Sequence, residues 1–155
     1  MRTDNGSVRN FIISVYFVLI VVAVLLATVF QSFDAISDGS LYVFFGTLVV
    51  AVIIHGIARF FEYDSDGPNL IIINRGLLLS DYLNYREHKI EIEKKKVLGF
   101  KIKRFYVYNQ LVVLYSDRHD KQHKARFNVT LVKRRKLRYI RQSLSKIIKE
   151  NKKTK

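Results

Sequence analysis

Residues 11–30 read FIISVYFVLIVVAVLLATVF, 20 positions without a charge, a glycine or a proline. At about 1.5 Å per residue, such a helix covers the roughly 30 Å hydrocarbon thickness of a bilayer, so the stretch predicts a transmembrane helix over about residues 11–31. Arg2 and Arg9 precede it like the basic head of a secretion signal. Signal cores, however, run about 7 to 15 residues, and no small-x-small cleavage site follows here. A second apolar run, LYVFFGTLVVAVIIHGIA from Leu41 to Ala58, interrupted only by Gly46, His55 and Gly56, predicts a second span over about residues 40–61. The expected architecture therefore begins with a transmembrane hairpin over residues 1–61.

Orientation follows from the placement of Lys and Arg. Arg2 and Arg9 lie before the first span, Arg59 lies at the end of the second, and the connector QSFDAISDGS holds Asp34 and Asp38 but no Lys or Arg. The positive-inside rule then puts both termini in the cytoplasm and the connector outside, as in an integral inner membrane protein. The absence of cysteine agrees with a reducing compartment. Of the chain's 27 Lys and Arg, all but Arg2 and Arg9 lie from position 59 onward, and its net charge is +14. The basic character thus falls on the side where anionic lipid headgroups are met.

The segment FEYDSDGPNL contains Gly67 and Pro68, the only proline, and marks the passage from anchor to a domain over residues 62–155. Leu70–Ile73 and Leu77–Leu83 read as short strands joined through Asn74-Arg75-Gly76. HKIEIE alternates, with Ile90 and Ile92 on one face. VLGFKIKRFYVY predicts Leu98, Phe100 and Ile102 inward, Lys101 and Lys103 outward, and a bulge at Gly99. LVVLYS and ARFNVTL follow as strands on either side of the polar loop DRHDKQHK. From Leu131 the period changes: Leu137, Ile140, Leu144, Ile147 and Ile148 mark one face of an amphipathic helix over about residues 131–150, with Asn128 or Thr130 as its cap. The expectation is six or seven antiparallel strands closed by one terminal helix.

An all-β run of this length sealed by an amphipathic helix resembles the bacterial pleckstrin-homology-like (PH-like) domain family. The stretches EYDSDG, NRGLLLS, NYREHK and RFNVTLV, behind two apolar runs, are similar to small two-span membrane proteins that carry such a domain. The resemblance implies a partly open barrel of two nearly orthogonal sheets with the helix plugging one end. It further implies a binding scaffold, and no site residue is carried over from it.

The chemistry-bearing residues point away from catalysis. No phosphate-binding glycine loop, nucleophile elbow, metalloprotease pair or kinase signature is present, so no enzyme activity and no cofactor are expected. His119 and His123 fall in a polar loop, His55 sits about one turn from Arg59 near a helix end, and Glu62, Asp64 and Asp66 suit a polar linker. The sequons at Asn5 and Asn128 carry no meaning on the cytoplasmic side. The sharpest signal is basic: Lys94, Lys95, Lys96, Lys101, Lys103 and Arg104, then Arg134, Arg135, Arg138 and Arg141 on the helix. These are the expected contacts with anionic membrane lipids or with a membrane-protein partner, each worth about 1 kcal/mol near a charged leaflet. Competing readings are a solvated helix face, a subunit of a larger membrane complex, and a nucleic-acid binder stacking bases on Tyr85, Phe105, Tyr106 and Tyr108.

Overall fold

The structure is a computed structural model that describes residues 1–28, 39–76, 88–106, 108–117 and 119–153. Gly6–Thr28 forms helix α1 and Gly39–Ile57 forms helix α2. From Phe11 onward α1 holds no charged residue, and α2 none apart from His55, so neither helix presents a charged face there. Gly6–Leu25, with mean hydropathy 2.4, is long and apolar enough to cross a membrane, and it is the one helix among the described residues that meets that test. Helix α2 stops at Ile57, short of the predicted 61. Tyr16 of α1 donates its hydroxyl hydrogen to the Ala51 carbonyl of α2 at 3.2 Å, tying the helices side by side. Residues 31–38 of the predicted connector lie outside the described residues.

Seven strands among the described residues make two antiparallel sheets. Arg2–Asp4 (β1), Arg59–Asp64 (β2), Asn69–Gly76 (β3) and His88–Glu93 (β4) pair in the order β1-β2-β3-β4. A 3-10 turn at Lys94–Lys96 leads to Val97–Arg104 (β5), Asn109–Ser116 (β6) and Gln122–Asn128 (β7), which pair in chain order. Among the described residues the sheets do not join into a closed barrel. Helix α3, Arg134–Lys153, ends the chain's regular structure.

The unexpected element is β1. Arg2, Thr3 and Asp4 pair with Asp64, Tyr63 and Glu62 across more than fifty intervening residues. The helices are therefore inserted into the connection between two neighbouring strands. Residues 2–4 and 59–61, which the sequence reading gave to the hairpin, belong to the sheet. Asn5 makes the joint. Its backbone N–H donates to the Phe61 carbonyl at 3.1 Å, its Nδ2 donates to the Arg59 carbonyl at 2.9 Å, and its Oδ1 accepts from the Phe61 N–H at 2.9 Å. Its own carbonyl accepts from Val8 and Arg9 and so starts α1. The roots of both helices thus meet at one end of the sheet, here the root end; Asn69, paired with Glu93, marks the far end.

The core is what the alternation demands. Phe61 and Tyr63 from β2, Leu70 and Ile72 from β3, Leu111 and Val113 from β6, and Phe127 from β7 are buried against Leu137, Ile140, Leu144 and Ile147 of α3. Three local expectations are corrected. Asn74-Arg75-Gly76 is not a turn: β3 runs through it, and Asn74 sits on the buried face after Leu70 and Ile72, spanning the sheets by donating to the Phe60 and Asn128 carbonyls at 3.1 and 3.0 Å. The strand expected over Leu77–Leu83 lies outside the described residues. The register slips between Val97 and Gly99, and this bulge turns Leu98 outward instead of inward. Lastly, α3 begins at Arg134 rather than 131, because Asn128 and Thr130 are used elsewhere: Asn128 Oδ1 accepts from the Thr130 N–H and hydroxyl, and Thr130 Oγ1 accepts from the Asn109 N–H.

Candidate functional site: a basic cleft between β5 and α3

Helix α3 lays its apolar stripe on the core, and the helical period sends Arg134, Arg138 and Arg141 along the flank that faces β5. On β5, Phe100 and Ile102 pack half-buried against the core while Lys101 and Arg104 stand exposed. Between the two elements lies an open cleft of about 750 Å³. Its floor is Phe100, Ile102 and Leu137, and its walls are Lys101, Arg104, Arg134, Arg138 and Arg141. No carboxylate among the described residues lines it. Among the described residues none of these five cations forms an ion pair, whereas Arg2 pairs with Glu62 at 2.7 Å and Lys96 with Glu93 at 3.8 Å. Arg134 also stands in the first turn of α3, which holds no acidic residue, where the helix dipole opposes a positive charge. The cleft therefore concentrates positive potential that nothing in the described chain neutralises.

The ten basic residues singled out in the sequence divide in space. Lys101, Arg104, Arg134, Arg138 and Arg141 come together in the cleft. Lys103 lies beside them, exposed on β5. Arg135 points elsewhere, its Nε donating to the Tyr139 hydroxyl at 3.0 Å with the guanidinium 5.9 Å from that ring. Lys94, Lys95 and Lys96 sit at the far end, where Lys94 N–H donates to the Pro68 carbonyl and Asn151 Nδ2 donates to the carbonyls of Lys94 and Val97 at 2.7 and 2.8 Å. The strands separate that turn from the root end by about 17 Å, five residues at roughly 3.4 Å each.

The first turn of α3, which carries Arg134, lies at the root end. Lys136, one turn into α3, donates from Nζ to the Asp4 carbonyl at 2.6 Å, beside the start of α1. Asn109, paired with Arg104 at the end of β5, accepts from the Val129 N–H, and the neighbouring Asn128 is bonded to Asn74 and through it to Phe60. Sequence reasoning overlooked further cations here. Arg9 and Arg75 place their guanidinium carbons 5.5 and 4.6 Å from the Phe60 ring, and Arg59 begins β2 beside them. Their spacing, 50 residues or more apart in part, gave no local pattern; the pairing of β2 with β3 sets Arg75 opposite Phe60, and the Asn5 joint brings the start of α1, with Arg9, to the same place.

The other candidates acquire ordinary partners. Glu62 is held by Arg2, and Asp64 Oδ1 accepts from the Asp66 N–H at 2.9 Å. His123 stacks on Tyr115 with ring centres 5.7 Å apart and approaches Asp117 at 3.8 Å in the β6–β7 turn, where His119 is exposed. Tyr85 and the side chain of His55 lie outside the described residues. Compared with protein-family models, curated proteins and solved structures, the chain matches none.

Proposed function

We propose that this chain is a non-catalytic, membrane-anchored binding module whose PH-like domain is held with its basic root end against an anionic membrane surface. The observation that carries this reading is the gathering of five cations, none of them in an ion pair among the described residues, in one cleft whose Arg134 stands in the first turn of α3, the turn that reaches the start of α1 through Lys136. Sheets of four and three strands with a terminal helix on the core support the PH-like assignment. The second span is supported by α2, where Tyr42, Phe45, Val52 and Ile53 are exposed, and by the return of the chain to Arg59 beside Asn5. A hairpin that leaves and returns at one sheet end would have both ends on one face of the membrane, and the excess of Lys and Arg there favours the cytoplasm as that face.

The energetics suit a tethered domain. Each cation near an anionic leaflet contributes about 1 kcal/mol, and the anchor has already removed the entropy cost of bringing the domain to the surface. The test is lysine acylation of the full-length protein, with reagent on both sides of the membrane, in anionic and in neutral vesicles. Lys101 and Lys103 are expected to be protected in anionic vesicles and released by high salt, while Lys94 and Lys95 at the far end react freely throughout. Equal reactivity of the two groups in anionic vesicles would overturn the reading. Protection by added RNA in place of lipid would move it to nucleic acid.

A further inference from the structure

The β5–β6 connection carries Phe105, Tyr106 and Tyr108 at its tip. Phe105 N–H donates to the Tyr108 carbonyl at 2.9 Å, closing the turn, and the two rings stack with centres 4.7 Å apart and planes 20° from parallel. Far from filling the core, Phe105 is 47% exposed, Tyr108 39%, and Tyr106 stands fully in the open. The three rings line an open apolar recess together with Arg104, the last residue of β5. A preorganised aromatic platform of this kind, left in water, exposes apolar surface with no structural return.

Its position names the occupant. The tip is built on Arg104 and Asn109, and Asn109 is joined through Val129 and Asn128 to Asn74 and Phe60 at the root end, from which α1 departs. Lys103 and Arg104 flank it, and neither has a carboxylate partner among the described residues. Tyrosine and phenylalanine with adjacent Lys and Arg make up the composition that sits at headgroup depth, rings in the acyl boundary and cations among the phosphates. We infer that the β5–β6 tip, through Phe105, Tyr106 and Tyr108, seats in the interfacial zone of the same bilayer that α1 spans, giving the domain a second, apolar point of attachment. This rests on the membrane-surface reading above and adds an insertion that charge alone does not require.

The chain contains no tryptophan, so Tyr106→Trp in the full-length protein creates a single emitter at a position where the fold has no stake. Leu98→Trp, exposed near the far end, is the reference. In phosphatidylcholine vesicles containing phosphatidylglycerol, Tyr106→Trp is expected to emit to the blue of Leu98→Trp. It should be quenched by nitroxide carried at headgroup depth and should lose quenching by iodide present on both sides; Leu98→Trp should show the reverse. Iodide quenching equal to that of Leu98→Trp would overturn the inference, as would shielding from iodide without access for the lipid-borne quencher, which would mean burial against a second copy. Lysine acylation of the same samples separates the two claims. Protected Lys101 and Lys103 with an iodide-accessible tip would sink the insertion alone, and unprotected lysines with an accessible tip would sink both.

Discussion

Buried polar side chains at two positions show what single residues contribute. Asn5 and Asn74 are each 2% exposed, and each hydrogen-bonds backbone groups of the neighbouring chain. Replacing Asn74 by Leu keeps the volume of the site but takes partners away from the Phe60 and Asn128 carbonyls. With about 1 to 3 kcal/mol for each buried group left unsatisfied, Asn74→Leu is expected to destabilise by about 2 kcal/mol or more in a urea melt. Tyr63 offers a pH test. Burial pushes its phenol above the ordinary value of 10.0, partly offset by hydrogen bonds with Ser143 and Ser65. In the unfolded chain the phenol ionises near its ordinary value, so the folded state holds the proton more tightly. The resulting stability is complete below that value and is lost as pH rises through the raised one. Tyr63→Phe should therefore flatten the fall of stability on the alkaline side. At neutral pH it should cost only about 0.5 to 1.5 kcal/mol, for the bond its hydroxyl gives Ser143 at 2.9 Å. An alkaline slope equal to that of wild type would show that Tyr63 is not its source.

At the scale of elements, α3 does two separable things. Leu144 is fully buried beneath it, so Leu144→Ala is expected to cost about 2 to 5 kcal/mol. Arg134, Arg138 and Arg141 crowd positive charge on one flank, Arg134 against the positive pole of the helix dipole, so their joint replacement by Gln should leave the melting temperature equal to or above that of wild type. The same variant should lose the salt-sensitive protection of Lys101 and Lys103 in anionic vesicles. An early melt would make these arginines structural, and retained protection would make them solvating charges. Element legibility follows the same physics. The stripe of α3, the alternation of β4 and the bulge at Gly99 were written locally, in periods that any window of ten residues exposes. Strand β1 was not, because three residues cannot display an alternation and its partner lies beyond both helices. Asn74-Arg75-Gly76 misled because Asn and Gly suit a turn, while the tertiary need for an amide spanning the two sheets outweighed local propensity. All five cations of the cleft were legible among the basic residues of the sequence. The division of those basic residues into cleft and far end was not, since Lys94–Lys96 and Lys101 differ in place only through the direction of β5.

For the whole molecule, the insertion of α1 and α2 between β1 and β2 replaces a flexible tether by a joint. Both helices grow out of strands of one sheet, with Asn5 bonding across to Arg59 and Phe61, so the angle between hairpin and domain is set by hydrogen bonds. On the proposed reading, that geometry would let a few cations and one aromatic tip act together, because neither would have to search for the surface. It also predicts which fragment folds. A chain starting at Asp64 lacks β1 and β2, and with them the fully buried Phe61 and Tyr63, so it should be disordered or aggregate. Joining Asn5 to Ala58 through a short Gly-Ser linker in place of α1 and α2 should instead give a soluble, strand-rich domain, since Asn5 Nδ2 lies only 2.9 Å from the Arg59 carbonyl and a shorter loop costs less closure entropy. Far-ultraviolet circular dichroism and a cooperative thermal transition decide the matter. If the Asp64 fragment melted like the linked one, β1 and β2 would be ornaments on a self-sufficient fold, and the joint at Asn5 could not hold the domain to its membrane.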